Sequence, residues 1–293
     1  MEQGNEGFSF SALGTRWSIV VDSEMLRDDA QEAVLKYIQS FDRRFSRFVD
    51  TSEANAFRGS DAGEYVISEE FATLLSKADE LRRLTDGVYD PAVGGLLERA
   101  GYDATYRMTP LPDTAGFILP KWDISQQTLT LDGPAVFDIG GMGKGYCIDM
   151  VAGILKDFGY VHFLVDGGGD MFGTTKAGGS PWRIAIEYPG RSDTAAGIVE
   201  LENQGLAVSD SFRRRWGTWH HLVDPRSNRP IDRVIGVSAV APNAWDADCT
   251  TSALYFASSS RYPVIAEVYS SRYVIFRNDG TTLVSSNWHG ELF

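Results

Sequence analysis

Between Phe137 and Asp170 the chain reads FDIGGMGKGYCIDMVAGILKDFGYVHFLVDGGGD, and this stretch constrains the fold more than any other. A short apolar lead, Ala135-Val136-Phe137, ends on Asp138. Gly140, Gly141, Gly143 and Gly145 follow, with Lys144 among them. Ile148, Val151, Ala152 and Leu155 then recur at helical spacing. Gly159 marks a helix end, and Val161 to Val165 reads as a strand running into Gly167-Gly168-Gly169-Asp170. The spacing therefore predicts a strand, a glycine turn, a helix and a second strand. Glycines let a backbone approach a ligand closely, and free N–H groups at a helix start suit a phosphate. A tight turn packed on a helix accounts for the same residues equally well. Neither GxxxxGK[ST] nor GxGxxG is present, so this is neither a P-loop nor a dinucleotide fingerprint.

The formal charge of −13 argues against a polyanionic partner such as nucleic acid. A small anionic ligand would need local cations or a metal. Cys147 and Cys249 form neither a metal spacing nor a disulfide framework, which makes a reducing compartment the default. Met1 to Glu6 has no basic or apolar run, and no span of about eighteen apolar residues occurs anywhere. A cytoplasmic protein is expected, although an exported form with its leader trimmed would read identically. No linker or internal repeat is visible, so one domain over residues 1–293 is the simplest organisation.

Phe8 to Phe10 and Trp17 to Val21 read as strands, and Ser23 to Phe48 as a long amphipathic helix. Ser68 caps a second helix that reaches Leu84, with Gly87 as its stop. Trp182 to Glu187 and Ile198 to Glu202 alternate as strands around a polar loop, Pro189 to Ala195. Arg213-Arg214-Arg215 reads either as a phosphate clamp or, as charge runs usually do, as solvated surface. His220 and His221 stand side by side on a short strand, so only one of them can face a given pocket. After a strand from Val234 to Val240, Trp245 to Leu254 opens a helix on which Asp248, Thr251 and Ser252 share a face. Such an all-oxygen set suits Mg²⁺, and a helix cap with back-bonded hydroxyls explains it too.

Four motifs in order turn these alternatives into a pattern. DIGGMGKGYCID at Asp138, GVYDPAVG at Gly87, HLVDPRSNRP at His221 and ADCTTSA at Ala247 resemble the signatures of the ApbE-type flavin transferases. Leu13-Gly14-Thr15 is similar to the family's Met-Gly-Thr, and Leu206 to Ser209 to its A-[TV]-S segment. The chain departs at Phe48, where Tyr is usual, at Asp210, where Gly is usual, and at Ser252, where Thr is more usual.

The resemblance implies an α+β fold, a single mixed α/β domain of ApbE-like, T-fold-related architecture with an FAD cleft. It implies transfer of FMN from FAD to a Thr or Ser hydroxyl of a target protein, with release of AMP. An FAD pyrophosphatase and a non-catalytic FAD-binding protein are the rival readings. Leu13, Phe48, Val88, Tyr89, Asp90, Asp138 and Val223 would line the FAD site, and Lys144 would contact the diphosphate. The Gly141 carbonyl, Asp248, Thr251 and Ser252 would hold Mg²⁺, and His221 would be the general base. His162 and His289 match no motif.

Overall fold

Alternation with a period of two dominates the strands, and it sorts their side chains between two different layers. The computed structural model describes residues 7–22 and 25–293. The Met1–Glu6 stretch and the Ser23 start expected for the first helix lie outside the described residues. The central sheet contains β1 (Phe8–Ala12), β2 (Thr15–Val21), β3 (Phe163–Asp166), β4 (Met171–Gly173), β5 (Gln204–Asp210), β6 (Val234–Ala241), β7 (Arg272–Arg277) and β8 (Thr282–Val284). They lie side by side in chain order, and every neighbouring pair is antiparallel.

Ile19, Val165, Val237 and Ile275 point to one face of this sheet and join the main core. Val20, Leu164, Val240 and Val274 point to the other, where Trp182, Val199 and Leu201 meet them. Helices build up the layer on the first face: α1 (Asp28–Phe45), α2 (Glu69–Leu84), α4 (Gly143–Asp157), α5 (Ala244–Phe256) and α6 (Tyr262–Val268), while α3 (Gly94–Arg99) packs in a separate small cluster with Tyr102, Trp216 and Val223. A three-stranded sheet of Trp182–Tyr188, Arg191–Leu201 and Glu291–Leu292 covers the second.

Helix α1 buries Ala30, Val34, Ile38, Phe41 and Phe45, the stripe its spacing predicts, but it runs from Asp28 and stops at Phe45. Helix α2 matches its expected bounds. The Ser68 hydroxyl accepts from the Phe71 N–H, and Gly87, at φ +78°, closes the C-terminus by donating to the Arg82 carbonyl. The apolar lead at Ala135 is not a strand. Its backbone is satisfied by the Phe57 and Ala54 carbonyls and by one bridge between Val93 and Val136. The stretch expected as a polar loop, Pro189 to Ala195, is instead mostly strand: from Arg191 it pairs with the preceding strand in an irregular ladder whose side chains face solvent.

Helix α5 is buried along nearly its whole length, so it has no polar face to reveal its orientation. Asn243, rather than either nearby aspartate, caps it by accepting from the Asp246 N–H. Asp248, Thr250, Thr251 and Ser252 are therefore polar groups enclosed between α4 and the sheet.

Candidate active site

Polar side chains at such depth must find partners, and those of Asp248 and Ser252 lie in the glycine run that leads into α4. Asp248 Oδ2 accepts from the Gly145 N–H at 2.9 Å. The Ser252 hydroxyl donates to the Gly141 carbonyl. Thr251 Oγ1 donates to the Asp248 carbonyl at 2.9 Å and meets Ser209 Oγ on β5 at 2.9 Å. Close approach makes this possible: a Cβ on Gly145 would stand 2.4 Å from the Ala244 carbonyl oxygen and 2.7 Å from the Asp248 Cβ. A Cβ on Gly141 would stand 2.9 Å from the Tyr89 ring and 3.0 Å from Ser252 Oγ. The Tyr89 hydroxyl beside it is buried without a partner.

Lys144, the second residue of α4, pairs with Asp170 at the end of the Gly167–Gly169 loop. Asp170 is itself buried, and its other oxygen accepts from the Val208 N–H at 2.9 Å. Burial works against the Lys144 charge, but Asp170 and Asp248 carry its pKa upward. For Asp248, burial and the nearby Asp170 push the carboxyl up to about 7. Thus the lysine pairs with one carboxylate of this pocket, while burial and that carboxylate together carry its neighbour up to about 7.

Asp138 resolves the same problem differently. Burial would raise its pKa, yet Arg47 and the Gly140 N–H keep it below the ordinary carboxylate range. Arg47 Nε donates to Asp138 Oδ2 at 2.6 Å, and its guanidinium lies 4.1 Å from the Phe48 ring centre and 4.7 Å from that of Tyr102. Phe48 also stacks on Tyr106, with ring centres 5.6 Å apart. Val223 packs into the same aromatic cluster through Tyr102 and Trp216.

The remaining candidates have their own local settings. Leu13, at φ 50°, forms the β1–β2 turn with Gly14, and Thr15 after them presses on Gly168 of the glycine loop. Val88 is buried. Asp90 is buried in its own turn, where it accepts from the Ala92 N–H at 2.8 Å and from Trp122 Nε1 at 2.9 Å. The two histidines separate, but the strand ends at His220 rather than including both. Both nitrogens of His220 are engaged, with the Ile231 carbonyl and the Leu222 N–H. His221 keeps Nδ1 unpartnered, and burial, with Arg214 and His220 adding, pushes it down to about 3. It is neutral near pH 7, with the Nδ1 atom open to an incoming group.

Sequence reading located the glycine cluster and the α5 oxygens. It did not find Arg47, the partner of Asp138, or Ser209, the partner of Thr251. It quoted Asp170 only as the end of a turn. Each of these pairs joins residues tens of positions apart, with no spacing signal between them.

The ApbE family matches residues 13–275 of this chain. An FAD:protein FMN transferase of Salmonella typhimurium is 27% identical over 258 residues, which cover 80% of this chain and 74% of that protein. One from Escherichia coli strain K12 is 25% identical over 264 residues, covering 83% and 75%. The solved ApbE protein of Thermotoga maritima has the same fold, with a TM-score of 0.83, 25% identity and 96% of each chain covered. The flavin transferase ApbE from Vibrio cholerae aligns at a TM-score of 0.79 over 96% of each chain, at 23% identity. The mixed α/β architecture expected from the motifs is thus the one observed, and the chain belongs to the ApbE family.

Proposed function

We propose that this protein is an Mg²⁺-dependent FAD:protein FMN transferase, acting on a Thr or Ser hydroxyl of a target protein and releasing AMP. The observation that carries the reading is the convergence of Asp248, Ser252 and the Gly141 carbonyl, within a few residues of Lys144 and Asp170. The names of the curated relatives point to the same activity.

The residues fit a small hard cation. Among the described residues no three His, Cys, Asp or Glu side chains gather as a metal cluster, so the set would be one carboxylate with neutral oxygens. The buried Asp248 carboxyl lacks a counter-cation of its own, and the unpartnered Tyr89 hydroxyl adjoins Gly141. Asp248, Ser252 and the Gly141 carbonyl would hold Mg²⁺, with Thr251 fixed behind them by Ser209. Bound there, it would supply charge neutralisation for the diphosphate and the departing phosphate.

The chain's own groups do the rest. His221 takes the proton of the acceptor hydroxyl as its oxygen forms a bond to the FMN phosphorus. The bond between that phosphorus and the bridging oxygen breaks, and AMP leaves with that oxygen and the electron pair. Phe48, packed against the Arg47 guanidinium and the Tyr106 ring, belongs to an aromatic cluster of the kind that a flavin ring can join.

The test follows AMP and acceptor mass together after incubation with FAD, Mg²⁺ and a threonine-bearing protein acceptor. An acceptor heavier by one FMN, with equimolar AMP, is expected, and Asp248→Ala should lose both by at least about a hundredfold. Free FMN with an unmodified acceptor would instead identify a pyrophosphatase. FAD bound without AMP would identify a binding protein.

A further inference from the structure

Three arginines in a row have three different surroundings. Arg213 is spent on its neighbours: it donates to the Gly168 carbonyl at 3.0 Å and to Glu187 at 2.7 Å, and lies 3.4 Å from Asp210. Arg215 is exposed and lies over the Phe212 ring. Arg214 is half-buried, and among the described residues its side chain makes no hydrogen bond and no ion pair.

The hairpin register says where Arg214 stands. Arg215 pairs with His220 and Trp216 with Trp219, so one step beyond the ladder Arg214 comes opposite His221. Opposed residues of an antiparallel pair share a face. The charge of Arg214 is accordingly felt at His221, Asp138, Lys144 and Asp248, the four groups that ring the site. An uncommitted guanidinium thus faces the site from the side of the proposed base.

We infer that Arg214 binds the diphosphate of FAD and carries the charge of the phosphate that leaves as AMP. The inference rests on the transferase reading above. Of the other cations near the site, Lys144 pairs with Asp170, and Arg47 pairs with Asp138 through Nε and lies over two aromatic rings, leaving only its buried Nη1 and Nη2 without partners. Asp138, Asp170 and Asp248 outnumber those two cations, so without Arg214 the Mg²⁺ proposed above would have to offset the remaining carboxylate and the diphosphate alone. A guanidinium fork matches two phosphate oxygens at once, which a lysine does not. As the acceptor oxygen bonds to the FMN phosphorus and the bridging bond breaks, negative charge collects on the AMP phosphate beside Arg214, while the proton goes to His221 across the ribbon.

The test compares FAD with riboflavin, which has the same ring system and no phosphate, by fluorescence titration in the presence of Mg²⁺. Arg214→Gln should weaken FAD binding about tenfold or more and leave riboflavin within twofold. Its kcat for AMP release should fall about 10²- to 10³-fold, and Arg214→Lys should recover part of the loss. The control Arg215→Gln should change neither. Equal losses for FAD and riboflavin would mean that Arg214 only supports the fold, and unchanged FAD affinity would remove it from the diphosphate; either result overturns the assignment. If the wild-type chain binds FAD but never forms AMP, the transferase reading falls, while the FAD–riboflavin contrast still decides whether Arg214 meets the diphosphate.

Discussion

Asp248 sits in a pocket whose burial disfavours the charge of its carboxylate. Its folded carboxyl titrates near 7, against an ordinary 3.8, because of burial and Asp170. A raised carboxyl pKa favours the folded state at low pH, so that contribution is complete below about pH 4 and disappears as pH rises through about 7. Mg²⁺ requires the ionised form, so its affinity should rise about tenfold between pH 6 and pH 8 and then level off. Calorimetric titration at the two pH values checks this, with Asp248→Asn abolishing the rise; equal affinities in the wild type would exclude Asp248 as a ligand. His221 has the opposite sign. Its pKa is depressed, so the stability linked to it is lost as pH falls from about 6.5 towards 3. At this scale the sequence displayed residue types but not their pairings. Asp138 and Lys144 were recognisable by position, whereas Arg47 reaches Asp138 across 91 residues, which no local pattern encodes.

Helices α4 and α5 cross so closely that one methyl group decides whether the site survives. Gly145→Ala places a Cβ against the Ala244 backbone and Asp248, and should destabilise the fold by about 1–3 kcal/mol. It should also displace the carboxylate that the Gly145 N–H orients. Gly153 lies on the same helix with nothing within 4 Å of its Cβ position, and Gly153→Ala should stabilise by up to about 1 kcal/mol. Thermal melting of both variants separates crowding from helix propensity, and the crossing would be refuted if both gained stability. Elements with one buried stripe, such as α1 and α2, were legible because burial imposes a 3.6-residue period. The strand from Arg191 was not: its first half faces solvent, and its polar residues read as a loop although the backbone pairs with a neighbouring strand. Ala135 to Phe137 misled in the opposite sense, being buried and apolar without a ladder to join.

Across the whole molecule the main core runs without a break from the sheet through α1, α2, α4 and α5, and the second sheet packs on the opposite face. We propose that residues 1–293 form one domain, which should unfold in a single calorimetric transition; two transitions resolved at different temperatures would divide it. Among the described residues no helix is long and apolar enough to cross a membrane. The sheet's order has a kinetic side as well. Strands β2 and β3 are neighbours, with Val21 opposite Phe163, yet α1, α2, α3 and α4 all lie between them in the chain. That rung closes the longest loop between neighbouring strands of the central sheet, and its entropy must be met before the rung contributes anything. During refolding, β1–β2 and the strands from β3 onward can zip locally, while the seam between them waits for the helices to gather. The Leu13-Gly14-Thr15 turn and the Gly167–Gly169 loop that ends on Asp170 meet across this seam, so catalytic competence should be among the last properties the chain acquires.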